Sequence, residues 1–241
     1  MRKMRIPFAT FTSRSSRTIR TGAVLLGLLW AALWIGGCGK PAPAWFAAGH
    51  QQLESFKTDY LTGAEPRLVE LRFPRVLREL KKSGDLDLIQ KAWLTKMALQ
   101  VAALEKAKAD DYLAAEAALA VPENRQFYLF LTGEPAQVEA ALVPKAYRPF
   151  LAALQSRNAD AAVRKIADIE DPLSRLIAAG VLIRHLPPSE ALLQTAVETA
   201  SQNGWKRVLL AWLKESKTFH EKRGETAQAE AIGRRLNLIA P

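Results

Sequence analysis

The residues of this chain that could carry out chemistry are few, and the most distinctive is its one cysteine, Cys38. A thiol can act as a nucleophile or as a metal ligand, depending on its surroundings. A metal site needs further ligands at close spacing, but the three histidines, His50, His185 and His220, stand far apart and form no ligand pair. The chain also has no glycine-rich phosphate loop and no Gly-x-Ser-x-Gly motif. The sequence therefore predicts no metal, no cofactor and no catalytic residue.

One acidic residue needs separate consideration. Glu215 and Ser216 follow Trp212 in a segment that resembles the Glu-Ser motif of lytic transglycosylases, where a glutamic acid in an apolar cleft acts as a general acid on peptidoglycan. The aromatic residue Phe219 lies one position further along than that motif requires. We therefore expect Glu215 and Ser216 to lie on the face of a helix without a catalytic role.

The segment before Cys38 has the composition of an export signal. Residues 1–20 contain six Arg or Lys residues and no acid, and the apolar run Ala23–Ile35 follows them. A basic start followed by a short apolar stretch is typical of a signal peptide. The uncharged stretch Gly22–Gly37 has 16 residues, which is short for a permanent spanning helix of about 20 residues.

The residues Ile35-Gly36-Gly37-Cys38 resemble the lipobox of bacterial lipoproteins, which has an aliphatic residue three positions before the cysteine and small residues directly before it. The resemblance implies cleavage between Gly37 and Cys38 and attachment of a diacylglyceryl group to the Cys38 thiol. Acyl chains anchor a protein because each buried CH₂ contributes about 0.8 kcal/mol. An ordinary secretory signal with a chance cysteine, or an uncleaved inner-membrane anchor, is the alternative.

More than half of the net positive charge of this chain comes from residues 1–37. The formal net charge is +10, but residues 1–37 supply six positive charges and no negative one, which leaves +4 on 38–241. The remaining basic residues form scattered pairs such as Lys81-Lys82 and Arg234-Arg235. This pattern predicts no nucleic-acid partner. These basic pairs allow one hypothesis for the function, in which the protein binds a glycan or a lipid.

We divide the chain into a signal peptide at 1–37, a lipidated cysteine with a short tether at 38–44, and a helical domain at 45–241. Apolar residues recur at steps of three and four along the domain, which favours helices, and no alternating pattern indicates a sheet. Helices are predicted at about 44–61, 66–82, 85–108, 110–120, 123–132, 135–142, 145–156, 159–168, 172–185, 189–203, 205–223 and 225–238. Short turns marked by Gly or Pro join them, so we expect an all-α helical-hairpin array, an α-solenoid.

The carboxy-terminal segment Trp205–Pro241 resembles a degenerate tetratricopeptide repeat. In that family a glycine in the turn between the two helices is followed by a small alanine where the helices pack, and Gly224 and Ala229 match these two positions. Pro241 matches the proline that closes the repeat. Gly233 departs from the family, which has an aromatic residue there. The resemblance implies a repeat array that binds peptides or proteins.

Aromatic residues at Phe127, Tyr128 and Tyr147 are the candidates for a partner-binding surface, because helical repeats bind peptides on their concave faces. Trp93 and Trp212 are expected in the core, together with Trp205.

We expect a non-catalytic lipoprotein that binds a protein or peptide partner in the cell envelope as an assembly or scaffolding factor. The lipid anchor would attach it to a membrane. An aspartate after the cysteine favours inner-membrane retention in lipoproteins of enteric-type bacteria. This chain has Gly39, which favours the outer membrane, facing the periplasm. A peptidoglycan-acting enzyme or accessory factor is the alternative, and the sequence predicts no particular oligomeric state.

Overall fold

The computed structural model describes residues 43–133 and 135–240, so Gly37 and Cys38 lie outside the described residues. In these two ranges the chain forms α-helices and short 3₁₀ turns and has no strand, which confirms the prediction of an all-α helical array. The helices are α1 (Ala44–Thr62), α2 (Pro66–Leu80), α3 (Leu86–Ala102), α4 (Asp110–Ala118), α5 (Pro122–Thr132), α6 (Arg148–Gln155), α7 (Ala159–Ala167), α8 (Pro172–His185), α9 (Glu190–Gln202), α10 (Lys206–Lys222) and α11 (Thr226–Ile239).

Most helices pack against the next helix in the chain, as in the hairpins α1–α2, α6–α7 and α10–α11. Helix α3 also packs against α8, which follows it far along the sequence, and α10 packs against α1. These long-range contacts bring the two ends of the domain together. They also create the space between α2 and α3 in which the candidate site lies.

The centre of the core is the crossing of α3 and α8. Leu99 and Val101 of α3 and Leu176 of α8 are each 0% exposed. Gly180 of α8 lies directly against the main chain of Val101, so close that a Cβ atom at Gly180 would be 2.3 Å from the Val101 carbonyl oxygen. The two helix backbones therefore approach each other at a point where only a hydrogen atom fits.

The start of α3 is fixed by residues that the sequence identifies. Gly84 has a φ of 69°, which glycine adopts without steric cost, and it ends the preceding turn. The Asp85 carboxylate then accepts a hydrogen bond from the backbone N–H of Asp87 at 2.9 Å. Such a cap satisfies donors that have no partner within the helix.

The end of α3 differs from the prediction. A helix was predicted for 85–108, but α3 ends at Ala102, and Leu104 has a φ of 58°. Trp212 of α10 donates its indole N–H to the Ala102 carbonyl oxygen at 2.9 Å. The main chain closes the end of α3, because Leu104 N–H bonds to the Val101 carbonyl at 3.0 Å and Glu105 N–H bonds to the Gln100 carbonyl at 2.8 Å. Trp212 then satisfies the Ala102 carbonyl that the ended helix leaves free.

The helix predicted for 135–142 is also wrong. Two separate 3₁₀ turns, Pro135–Gln137 and Ala140–Leu142, occupy this stretch. Between them Val138 is 4% exposed, and Gln155 Nε2 donates to the carbonyl oxygens of Pro135 and Val138, each at 2.9 Å. The segment is therefore held by a buried side chain and by side-chain hydrogen bonds, and not by a continuous helical ladder.

The carboxy-terminal hairpin contains the residues on which the tetratricopeptide resemblance rests. Gly224 turns the chain between α10 and α11 with a φ of 73°, and Ala229 is 5% exposed against α10. Next to this turn the Glu225 carboxylate lies 2.6 Å from His220 Nδ1 and accepts a hydrogen bond from Arg223 Nε at 2.7 Å. These two hydrogen bonds, the one with His220 first, lower the pKa of Glu225.

We predict that this carboxylate stabilises the hairpin only while it is ionised. Because the folded-state pKa of Glu225 lies below its ordinary value, its contribution is present above that ordinary value and is lost as the pH falls through the folded-state pKa. Glu225→Gln should therefore lower the free energy of unfolding at about pH 6, and the effect should shrink as the pH falls below the ordinary pKa of a glutamate, measured by urea denaturation. Glu230→Gln is the matched control, since Glu230 is exposed and lies 3.7 Å from its partner Arg234. A Glu225→Gln effect that is constant with pH would contradict the prediction.

Candidate functional site: an aromatic cleft

A cleft of about 550 Å³ opens between α2 and α3, next to α1 and α10. We call it the aromatic cleft and define it by Phe56, Phe73, Trp93, Lys96, Gln100 and the residues beside them. The Phe73 ring lies at its base, 5.0 Å from the Phe56 ring and 4.7 Å from the Trp93 ring, measured between ring centroids. Phe56 and Phe73 are buried, whereas Trp93 is half-buried and faces the opening. The cleft is large enough to receive a few amino-acid side chains.

Lys96 carries a positive charge into this apolar space. Its Nζ atom lies 4.8 Å from the Phe73 ring centroid and 5.1 Å from the Trp93 ring centroid. Aromatic faces attract cations, but they do not replace an anionic partner. Among the described residues no carboxylate forms a salt bridge with Lys96. Burial lowers the pKa of Lys96, and nearby Asp111 opposes this effect.

The far end of the cleft is closed by Glu105. Its carboxylate accepts a hydrogen bond from the Tyr60 hydroxyl at 2.7 Å and pairs with Arg207 Nε at 2.8 Å. The Arg207 guanidinium also stacks over the Tyr60 ring at 4.2 Å. Burial and the adjacent carboxylate raise the pKa of Tyr60, so its hydroxyl remains a donor to Glu105.

Arg184 of α8 fixes the main chain of the same loop. Its guanidinium donates to the carbonyl oxygen of Glu105 at 2.9 Å and to that of Leu131 at 2.8 Å. Glu105 is thus held by side chains from α1, α8 and α10. This part of the cleft is fixed by contacts between helices that are distant in sequence.

Gln100 is the least satisfied polar residue of the cleft. It lies one turn after Lys96 on α3, and its Oε1 atom is buried without a hydrogen bond from any residue that the structure describes. A buried acceptor without a donor costs about 1–3 kcal/mol. A ligand that brings an N–H group to this position would remove that cost.

The lining of the cleft is more positive than negative. Arg78, Lys81, Lys96 and Arg207 face it, against the two carboxylates of Glu70 and Glu105. Because Glu105 is already paired with Arg207, the net positive charge lies at the end formed by α2 and the middle of α3. The arrangement can bind a ligand that is both apolar and anionic.

The aromatic residues predicted as a partner surface lie elsewhere, around α5. Phe127 and Tyr128 are half-buried, and the Tyr128 ring stacks on Tyr112 at 4.9 Å. Tyr147 is 4% exposed and packs 4.7 Å from Phe130, so it is a core residue and the expectation that it contacts a partner is wrong. Burial raises the pKa of Tyr147 to about 12.

The structure also shows how deeply the tryptophans and the Glu215-Ser216 pair are buried. Trp212 is 0% exposed, as expected for a core residue, whereas Trp93 and Trp205 are half-buried. Ser216 is buried on α10, and Glu215 beside it is half-buried on the same helix. Neither residue lines the aromatic cleft.

The sequence contains one signal for the cleft that the pattern of apolar residues obscures. Lys96 and Gln100 interrupt the face of α3 that also carries Trp93 and Met97, at spacings of three and four residues. A charged and an amide side chain on an otherwise apolar helical face indicate a place where the core is open.

The fold and the cleft together define an all-α helical array with a positively charged aromatic cleft. No protein family matches this chain, and no similar protein was found among the curated proteins or the solved structures. Across 43–133 and 135–240 no group of His, Cys, Asp and Glu side chains is arranged to hold a metal ion. In the same ranges no helix combines the length and the apolar character needed to cross a membrane.

Proposed function

We propose that this protein is a lipid-anchored protein of the bacterial cell envelope whose helical domain binds a protein or peptide partner as a non-catalytic assembly or scaffolding factor. The observation that carries the proposal is the aromatic cleft, in which Lys96 lies over two aromatic rings and forms no salt bridge with a described residue. Clefts of this kind, with an apolar base and few polar groups, are typical of binding sites.

The anchor is proposed from the sequence alone. The lipobox-like residues at 35–38 support lipidation of Cys38, and Gly39 supports the outer membrane, with the domain facing the periplasm. The five residues from Gly39 to Pro43 span at most about 18 Å when fully extended. A domain attached in this way would meet its partner close to the membrane surface.

The proposal is tested by photo-crosslinking in the native envelope. Glu70 is exposed and lines the cleft, so it is replaced by the photo-reactive residue p-benzoylphenylalanine. Irradiation is expected to trap one defined protein partner at this position. Glu230 on α11 is the matched control because it is an exposed glutamate away from the cleft, and it should not trap that partner.

A Cys38→Ser variant separates the anchor from the cleft. We expect this variant to leave the membrane fraction and to lose the Glu70 crosslink in cells, while the purified protein still binds the isolated partner. An unchanged membrane fraction would contradict the lipoprotein proposal. Absence of any Glu70-specific crosslink, or release of soluble muropeptides by the purified protein, would contradict the non-catalytic binding proposal and favour action on peptidoglycan.

A further inference from the structure

We propose, on the basis of the proposed function, that the occupant of the aromatic cleft is an acidic and apolar segment of a partner protein. A side-chain carboxylate of this segment pairs with Lys96 Nζ, and a neighbouring apolar side chain packs on the rings of Phe73 and Trp93. The backbone of the segment supplies N–H groups to acceptors on the walls of the cleft.

Lys96 is half-buried and forms no salt bridge with a described carboxylate, although Asp111 acts on it from a longer distance. Such an ammonium group is less favourable than one that is directly paired, because burial removes water without supplying an anion in contact. Its Nζ atom is within 5.1 Å of two ring centroids, so an approaching carboxylate would meet the charge at the apolar surface. Hydrogen bonds between ionised groups are roughly twice as strong as neutral ones, so this contact would dominate recognition.

The charge of the cleft is complementary to that of an acidic segment. Arg78 and Lys81 add positive charge to the same wall, and Glu105 is occupied by Tyr60 and Arg207. Glu70 is then the one lining carboxylate that forms no hydrogen bond or ion pair with a described residue. The cleft therefore attracts acidic segments and disfavours basic ones.

The hydrogen-bonding groups of the cleft favour a peptide over an anionic lipid. The cleft offers acceptors as well as cations. The buried Oε1 atom of Gln100 has no donor within 43–133 and 135–240, and Pro74 on the opposite wall lacks the N–H that would otherwise bond the Glu70 carbonyl within α2. A peptide backbone carries N–H donors for these acceptors, whereas a fatty-acid carboxylate carries only acceptors. An acidic protein segment supplies both a carboxylate for the cations of the cleft and N–H donors for its acceptors.

The inference is tested with two synthetic peptides that differ only in charge. One has the sequence Leu-Glu-Phe-Glu-Leu and the other has Gln in place of Glu, and both are blocked at their ends and carry a fluorescent label. Binding to the full chain in a nonionic detergent is measured by fluorescence anisotropy. We expect the acidic peptide to bind at least about tenfold more tightly than the neutral one, as a charge-assisted hydrogen bond implies.

Variants of Lys96 connect this preference to the cleft. Lys96→Met keeps a similar apolar stem and should remove the preference for the acidic peptide, whereas Lys96→Arg retains the charge and should preserve it. Lys222→Met is the matched control, because Lys222 is exposed at the end of α10, outside the cleft, and this change should leave the preference unaltered. Laurate, an anionic amphiphile without N–H groups, should not displace the peptide.

The possible results separate this inference from the proposed function. Equal binding of both peptides, or a preference that survives Lys96→Met, overturns the inference but leaves a Glu70-specific crosslink as support for partner binding. Displacement by laurate overturns it in favour of a lipid-like ligand. If neither peptide binds but the Glu70 crosslink is present, the acidic-segment inference alone is overturned. If neither peptide binds and no Glu70-specific crosslink forms, the proposed function is overturned as well.

Discussion

Gly180→Ala is expected to lower the free energy of unfolding by about 3 kcal/mol, although it adds only one methyl group. The added Cβ would lie 2.3 Å from the carbonyl oxygen of Val101, 2.9 Å from its carbonyl carbon and 3.0 Å from its Cγ1. Two of these three atoms belong to the backbone of α3, which cannot rotate aside as a side chain can. The helices would have to move apart, and Val101, which is 0% exposed, would lose its packing.

The matched control is Gly233→Ala in α11. A Cβ atom there would meet the flexible end of Lys217 at 3.4 Å, and that side chain can move. Alanine favours a helix over glycine by about 0.8–1.0 kcal/mol, so this change should stabilise the protein. Both variants are compared with the unmodified chain by urea denaturation followed by far-ultraviolet circular dichroism. If Gly180→Ala proves as stable as the unmodified chain, α3 and α8 do not cross in the way described.

The second large effect is expected for Trp212→Ala, which should lower the free energy of unfolding by about 3–5 kcal/mol through loss of packing alone. Trp212 is 0% exposed, and its indole N–H is hydrogen-bonded to the Ala102 carbonyl oxygen. Removing the donor leaves this carbonyl without its partner at the end of α3, which adds about 1–3 kcal/mol. The Ala variant combines both losses.

Trp212→Phe separates the two contributions because phenylalanine keeps an aromatic ring but has no N–H donor. Trp205→Phe is the control, since Trp205 is half-buried and no hydrogen bond of its indole is observed. We expect Trp212→Phe to be clearly more destabilising than Trp205→Phe in thermal and urea unfolding. Equal effects of the two changes would show that the indole hydrogen bond contributes little to stability.

Most helices could be predicted from the sequence because they depend on local information. The start of α3 at Leu86 follows from Gly84 and Asp85, and the hairpin turn at Gly224 follows from a glycine between two apolar helical patterns. These features act over a few residues, so a single sequence contains them in full. The predicted end of α3 is wrong because the chain turns at Leu104, a leucine with a positive φ where a glycine would be the usual signal, and because the Ala102 carbonyl left free there is bonded by Trp212 from another helix.

The candidate site could not be predicted for the same reason. Phe56, Trp93 and Arg207 come from three helices, and only the packing of α10 against α1 and of α2 against α3 brings them together. Hydrophobic periodicity predicts which side chains are buried, but it does not predict whether they pack in the core or line a cleft. The sequence therefore predicts Trp93 in the core and Tyr147 at a partner surface, whereas Trp93 lines the cleft and Tyr147 is buried.

The way in which Glu105 is held has a consequence for how the domain responds to a ligand. Because α1, α8 and α10 all bond to this one residue, the far wall of the cleft is already ordered before anything binds. Association then loses little conformational entropy at that wall. By linkage, any ligand that binds only the folded form must also raise the melting temperature of the helices joined at Glu105. A thermal-shift screen could thus detect a cognate segment before its identity is known.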